Sequence, residues 1–261
     1  MQLTTEVITL TPHLAADFLS KSKGNRPTSR STIDLYSNKI KRGEWMLNGE
    51  PINFDVDGAL VNGHHRCLSV IQAKTPINVL VVRGCDRDSF KTYDQGKRRN
   101  VADALGIAGE INTNVLAAAI RAHFSYFVPS RAGCEASAVQ LLECLKENPA
   151  IRFWAQKYVA SKPVKRRFPA PLAGLLAVAS ARYGTEKMEV FFDQLETGIG
   201  LIAGDPALLL RERFADAKAK SLTMSRKQQD AFIIKAINAF IQGRKIGVLR
   251  LKSDEEMPRL V

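Results

Sequence analysis

Apolar positions along the chain follow two different rhythms, and the change between them divides it. Thr11-Pro12 reads as a helix start, a threonine N-cap with proline in the first turn, and predicts a helix to about Ser20. Lys21 to Thr28, rich in Lys, Gly, Asn and Pro, reads as a loop. Ile33, Tyr36 and Ile40 share one helical face and predict a second helix from about Ser31 to Glu44. The pattern then becomes that of strands. Pro51 to Asp55 is a short β-type run, Asp57-Gly58 a turn, and Ala59-Leu60-Val61 the return strand. Cys67, Leu68, Val70 and Ile71 restore a helical face, which places a helix from about His64 to Lys74; Ile77 to Val82 follows as a buried strand. Asp86 to Lys91 reads as a short helical turn, Asp94 to Asn100 as a polar loop or extended segment, and a helix begins at Asn100 or Val101.

From Asn112 onward the strand rhythm disappears. Helices are predicted at 112–127, 135–147, 149–160, 171–183, 185–197, 206–219 and 225–242. Ser225 with Gln228 is a capping-box pair, and Gly243 closes the last helix. Ile246 to Leu251 reads as a short final strand followed by a loose acidic tail, and Ser161 to Pro171 as a Pro-rich basic loop. Phe153, Trp154, Phe191 and Phe192 read as core. The expected class is therefore α+β: a small mixed N-terminal domain over 1–110 and an all-helical domain over 111–261.

Charge sharpens this division. The net charge is +12, and residues 1–111 hold 15 Lys+Arg against 12 Asp+Glu, leaving +9 of the excess to 112–261. A basic surplus on one part of a chain favours polyanions, nucleic acid first. Lys165, Arg166 and Arg167, with Arg244 and Lys245, are the candidate DNA contacts, suited to backbone phosphates rather than to base reading. Lys218, Lys220, Arg226 and Lys227 flank a further loop. The four cysteines, Cys67, Cys85, Cys134 and Cys144, form no C-x-x-C pair, and with four histidines in the chain no zinc spacing arises. Neither a leader-type start nor an apolar run of about 20 residues is present, so a cytoplasmic protein without a membrane span is expected.

The candidate chemistry sits where the return strand meets the next helix, at Asn62-Gly63-His64-His65-Arg66. A helix start offers backbone N–H groups without intrahelical partners and the positive end of the dipole, a ready phosphate site. Gly63 allows close approach, Arg66 can place two donors on phosphate oxygens, and His64 or His65 can donate or carry a proton. A plainer reading, vicinal histidines that only cap and bond locally, accounts for the same residues. A second cluster, Asp94-Gln95-Gly96-Lys97-Arg98-Arg99, could close over phosphate with Lys97 as a point charge, or be a solvated turn; it lacks P-loop spacing.

The order of elements, together with Asn25-Arg26-Pro27, Gly43-Glu44-Trp45, Asn48-Gly49-Glu50-Pro51-Ile52, Phe54-Asp55, Asp57-Gly58 and Asn62 to Arg66, resembles the ParB/sulfiredoxin superfamily over about Thr11 to Leu105, and in particular ParB-like proteins of phages and mobile elements. An Asp-x-Gly-Lys stretch recurs in such phage proteins where Asp94 to Lys97 stands. Sulfiredoxins share Gly63, His65 and Arg66 but carry their catalytic cysteine where His64 stands, which argues against sulfinic acid reduction. Partitioning ParB proteins bind CTP phosphates with a Gly-Glu-Arg-Arg box, of which Gly63 and Arg66 remain. The nearest box is the Asp-Gly-His-His-Arg of the free serine kinases of this fold, with Asn62 in place of the aspartate.

What the resemblance implies is a nucleoside triphosphate with Mg2+ and either hydrolysis or phosphoryl transfer, on or near DNA. Phosphate ligands would be Asn62, Gly63, His64, His65, Arg66, Asp94, Lys97 and Arg98. Phosphoryl transfer requires a metal-held nucleotide and an orienting carboxylate. Glu50 is the candidate base, beside His64 and His65, and Asp55 the candidate metal ligand; Asp57 also reads as a turn residue and Asp55 as a strand-end cap. A homodimer is common among ParB relatives. Two other readings stand beside this one: a non-catalytic DNA-binding protein, and a metal-dependent nuclease, ranked last because the sequence lacks the clustered carboxylates of two-metal sites.

Overall fold

The computed structural model describes residues 3–22, 28–86, 100–128, 136–252 and 255–261. It is of mixed α+β type and divides into two units, Met1–Arg98 with Ser130–Ser137, and Arg99–Pro129 with Ala138–Val261. The expected short turn from Asp86 and the Asp94–Arg99 cluster fall almost wholly outside the described residues. No helix among the described residues is long and apolar enough to cross a membrane.

The first unit is a four-stranded sheet with helices packed on it. Its strands β1 (Thr4–Leu10), β2 (Pro51–Asp55), β3 (Leu60–Asn62) and β4 (Ile77–Cys85) lie in the order β1-β4-β2-β3. β4 runs antiparallel to β1 and parallel to β2, and β2 runs antiparallel to β3. Alternation along β4 buries Ile77, Val79 and Val81, while Asn78 is exposed. Those side chains join Ile52, Phe54 and Leu60 in a core closed by α1 (Pro12–Ser20), α2 (Arg30–Lys41) and α3 (His64–Ala73), through Ala15, Phe18, Ile40, Cys67, Val70 and Ala73. Each helix start has a local cause. The Thr11 hydroxyl accepts from Leu14 N at 3.2 Å with Pro12 in the first turn, and the Ser29 hydroxyl accepts from Thr32 N at 3.3 Å.

β1 was not expected. Only Leu10 of its seven residues is buried, so its own sequence shows little of the half-buried alternation that marks a strand. It exists through its register with β4, Thr4 opposite Arg83 to Leu10 opposite Ile77.

The second unit is helical: α4 (Val101–Ile107), α5 (Thr113–Phe127), α6 (Ala138–Glu147), α7 (Ala150–Ala160), α8 (Lys162–Arg167), α9 (Pro171–Tyr183), α10 (Thr185–Thr197), α11 (Pro206–Ala219) and α12 (Arg226–Ile241). α9 is buried continuously from Pro171 to Ser180, as a helix apolar on all sides must be, and α5, α7, α10 and α12 pack around it. A Cβ on Gly174 would stand 2.0 Å from the Ala119 carbonyl oxygen, so α5 and α9 meet backbone to backbone there. Trp154 is buried and donates from Nε1 to Ser180 Oγ at 3.0 Å; Phe191 and Phe192 are buried too.

Four expectations are corrected in this unit. Ser161 to Pro171 is not all loop, because Ser161 Oγ accepts from Val164 N at 3.2 Å and Pro163 lies in the first turn of α8, where proline starts a helix rather than breaking one. Phe153 is not core; it lies 42% exposed beside buried Trp154, on the outward side of α7. Ile246 to Leu251 forms no strand: Ile246 N donates to Gly204 O at 2.9 Å, and Lys235 Nζ reaches Arg250 O at 2.7 Å. Residues 255–261 do not hang free. Leu260 is buried, its N–H donates to the Tyr126 hydroxyl at 2.9 Å, and Asn238 Nδ2 donates to Arg259 O at 2.7 Å.

Candidate functional site

The Asn62 to Arg66 stretch forms the expected strand-to-helix turn. Gly63 is the N-cap of α3 at φ 106°, a backbone conformation that side-chain-bearing residues rarely adopt. A Cβ there would also meet Ile52 Cγ1 at 2.8 Å. The glycine is thus required twice, by its dihedral and by β2 beneath it. No side chain caps α3, and its first turn holds no acidic residue. Asn62 is turned toward the strand end, its Oδ1 accepting from Gly63 N at 2.8 Å.

The two histidines reach back to the segment joining α1 and α2. His64 Nδ1 lies 3.2 Å from Ser22 Oγ, and Ser22 forms a parallel bridge with Leu60 of β3. His65 Nε2 accepts from the backbone N–H of Ser29 at 2.9 Å. A backbone N–H can only donate, so Nε2 carries its lone pair and His65 is the neutral Nδ1–H tautomer. Burial holds His64 below the ordinary histidine range, which favours its neutral form as well. The Ser29–His65 bond brings the start of α2 to the start of α3. α2 likewise has no acidic residue in its first turn, and Arg30 there is 83% exposed. Two helix N-termini therefore face one locality without a carboxylate in either first turn. Ser22 and Ser29 were not expected at this site.

Arg66 takes a different position from the one expected. It is 8% exposed, its Nη1 donates to the Glu50 carbonyl at 2.8 Å, and its Nη2 lies 3.5 Å from Glu50 Oε2. Its guanidinium also stands over the Trp45 ring at 5.8 Å. Arg66 thus ties α3 to the start of β2, and Glu50, whose side chain is 76% exposed, is its partner. Asp55 is 3% exposed, and its Oδ1 accepts from Asp57 N at 2.9 Å and from Ala59 N at 2.8 Å, closing the β2–β3 turn. Among the described residues no group of three or more His, Cys, Asp or Glu is placed to hold a metal ion. Asp94, Lys97 and Arg98 lie outside the described residues.

In the helical unit Lys165 and Arg166 are exposed at the end of α8, where cations suit the helix dipole, and Arg167 is half-buried. Arg167 Nη1 is buried and has no hydrogen-bond partner among the described residues. Arg211 of α11, not singled out in the sequence, donates to the Leu195 and Glu196 carbonyls at the end of α10. Burial and the neighbouring Arg167 both lower its pKa. Arg244 and Lys245, past the end of α12, are exposed. A buried pair that no motif announced lies in the same unit: Cys144 Sγ is 3.4 Å from His123 Nδ1. Burial pushes His123 down to about 4 and raises the Cys144 thiol, so both are neutral groups of the core.

No family model, curated protein or solved structure matches this chain.

Proposed function

We propose that the first unit binds the phosphate groups of a nucleotide at the Gly63 turn, and that the chain acts on or near DNA through its basic helical unit. One observation carries this reading: the starts of α2 and α3 converge, linked by Ser29 N donating to His65 Nε2, with glycine at one cap and no acid in the first turn of either helix. Two dipole ends of the same sign repel, and an anion between them relieves the repulsion. Arg30 adds an exposed cation, 3.5 Å from Asp34 Oδ1, while Arg66 is held on Glu50. The order of elements and the Gly-His-His-Arg box, similar to the ParB/sulfiredoxin superfamily and to its serine kinases, support the same ligand class.

The donor set fits phosphate better than it fits a cation held by protein alone. Asp55 is committed to the turn, and Glu50 is paired with Arg66. Mg2+ would arrive with the nucleotide, held mainly by its phosphates, and would neutralise charge there. In that complex the amides of the first turn of α3 would orient the phosphate. Neutral His64, beside Ser22 Oγ, would accept or return a proton, and Glu50 is an exposed carboxylate held on Arg66.

The test is calorimetric titration of ATP, CTP, GTP and UTP with Mg2+ into the wild-type protein and into His64→Asp. An aspartate at the first helical position suits the dipole and preserves the helix, yet repels an anion. Saturable binding of one nucleotide, lost in the variant while thermal stability holds, supports the proposal. A stoichiometry and affinity left wholly unchanged by His64→Asp, or no binding by the wild type, refutes it.

A further inference from the structure

The helical unit contains a cavity of about 330 Å³ between α12 and the irregular segment that follows it, lined in part by Lys235, Arg244, Ile246, Val248, Leu249 and Arg250. This volume is at the lower end of the ~300–1,000 Å³ typical of small-molecule sites. Its cations differ in availability. Lys235 is spent: its ammonium lies 2.5 Å from Glu255 Oε1 and donates to Arg250 O at 2.7 Å. Those bonds hold the segment across α12. The side chains of Arg244 and Arg250 are exposed and make no ion pair or hydrogen bond among the described residues. Both guanidinium groups therefore keep their donors for a ligand. The same lining has an apolar part: Ile246 is half-buried, Leu249 is buried, and Val248 is 62% exposed. An exposed valine in a concave wall is a surface that a ligand's apolar part would cover.

We infer that this cavity binds a small phosphate monoester of about mononucleotide size, its phosphate on Arg244 and Arg250 and its flat or apolar portion against Ile246 and Val248. The charge selects an anion, and arginine matches phosphate with paired donors. The apolar wall selects an anion with a hydrophobic body over a bare ion. The cavity volume selects a single nucleotide over a length of duplex. The site lies in the helical unit, on residues that take no part in the Gly63 turn, and does not depend on the reading of that turn.

The experiment is titration of the full chain with AMP, with inorganic phosphate and with a short DNA duplex. It compares the His64→Asp chain, in which the Gly63 turn is silenced, with the same chain carrying in addition Arg244→Gln/Arg250→Gln or Val248→Asp. All of these positions outside the Gly63 turn are exposed, so the fold should survive the changes. The expected result is saturable AMP binding by the His64→Asp chain that weakens at least about tenfold when Arg244→Gln/Arg250→Gln or Val248→Asp is added, a change of about 1.4 kcal/mol. Inorganic phosphate should bind more weakly than AMP. AMP affinity indifferent to Arg244 and Arg250 overturns the inference, as does no saturation up to about 1 mM. Equal affinity for phosphate and AMP overturns the role of the apolar wall. Loss of duplex binding with AMP binding unchanged assigns the arginines to nucleic acid backbone and overturns the small-ligand site.

Discussion

Replacing Gly63 by alanine separates two costs that the structure places on one atom. The first is dihedral: at φ 106° a Cβ stands outside the regions open to L-residues, a strain on the order of 1–3 kcal/mol. The second is contact: the new Cβ would lie 2.8 Å from Cγ1 and 3.0 Å from Cγ2 of Ile52, a fully buried residue of β2 with little freedom to yield. Overpacking of this kind costs about 1–3 kcal/mol. Gly63→Ala is therefore expected to lose roughly 2–6 kcal/mol, a large share of the ~5–15 kcal/mol that holds a typical domain. Ile52→Ala alone leaves a cavity and costs about 2–5 kcal/mol. In the double variant the two Cγ contacts are removed, the Ile52 Cβ stays at 3.2 Å and the dihedral cost remains, so the two changes should be less than additive by up to about 1–3 kcal/mol. Hydrogen-exchange mass spectrometry of peptides from β2 and α3 reads the opening free energy of this unit separately from the helical one. Strict additivity within about 0.5 kcal/mol would show that Ile52 does not press on the turn. A cost below about 1 kcal/mol for Gly63→Ala would refute both parts of the argument.

Two further outcomes follow from the helical unit. His123, held down to about 4 against an ordinary 6.5 by burial, binds its proton more readily unfolded than folded. Its contribution is complete above about pH 6.5 and is lost as pH falls through about 4, a change of roughly 3 kcal/mol. Unfolding free energies between pH 7 and pH 4 should therefore fall more steeply in the wild type than in His123→Leu, and equal slopes would contradict the assignment. Gly174→Ala gains about 1 kcal/mol of helix propensity but drives a Cβ to 2.0 Å from the Ala119 carbonyl oxygen, which is backbone and cannot turn aside. A net loss of roughly 3 kcal/mol or more is expected in urea denaturation, and a stabilised variant would show that α5 and α9 do not touch there.

Much of this architecture is legible in the chain because the cause is local. α3 begins where glycine leaves a strand, α12 where Ser225 and Gln228 cap each other, and α9 where an unbroken apolar run needs burial on every side. What escaped the sequence depends on distant partners. β1 is exposed over most of its length and is a strand only because β4 lies beside it. The Ile246 to Leu251 run is apolar like a strand, yet Ile246 bonds to Gly204 instead. α8 was hidden for another reason, since Pro163 both ends and begins helices and only the Ser161 cap decides between them. The site behaves in the same way. The Gly63 turn is written in five consecutive residues, but its juxtaposition with Ser22 and Ser29 arises from the fold. The preference of Arg66 for the Glu50 carbonyl likewise appears only once β2 and α3 are side by side.

The central claim is that phosphate sits at the converging starts of α2 and α3. The most direct measurement is a two-dimensional 1H–15N NMR titration of the 261-residue chain with inorganic phosphate and then with the nucleotide series in Mg2+. The account predicts saturable shifts centred on the amides of Gly63, His64, His65 and Ser29, abolished in His64→Asp. Saturable shifts that leave these four amides unmoved, or persist undiminished in the variant, would contradict it.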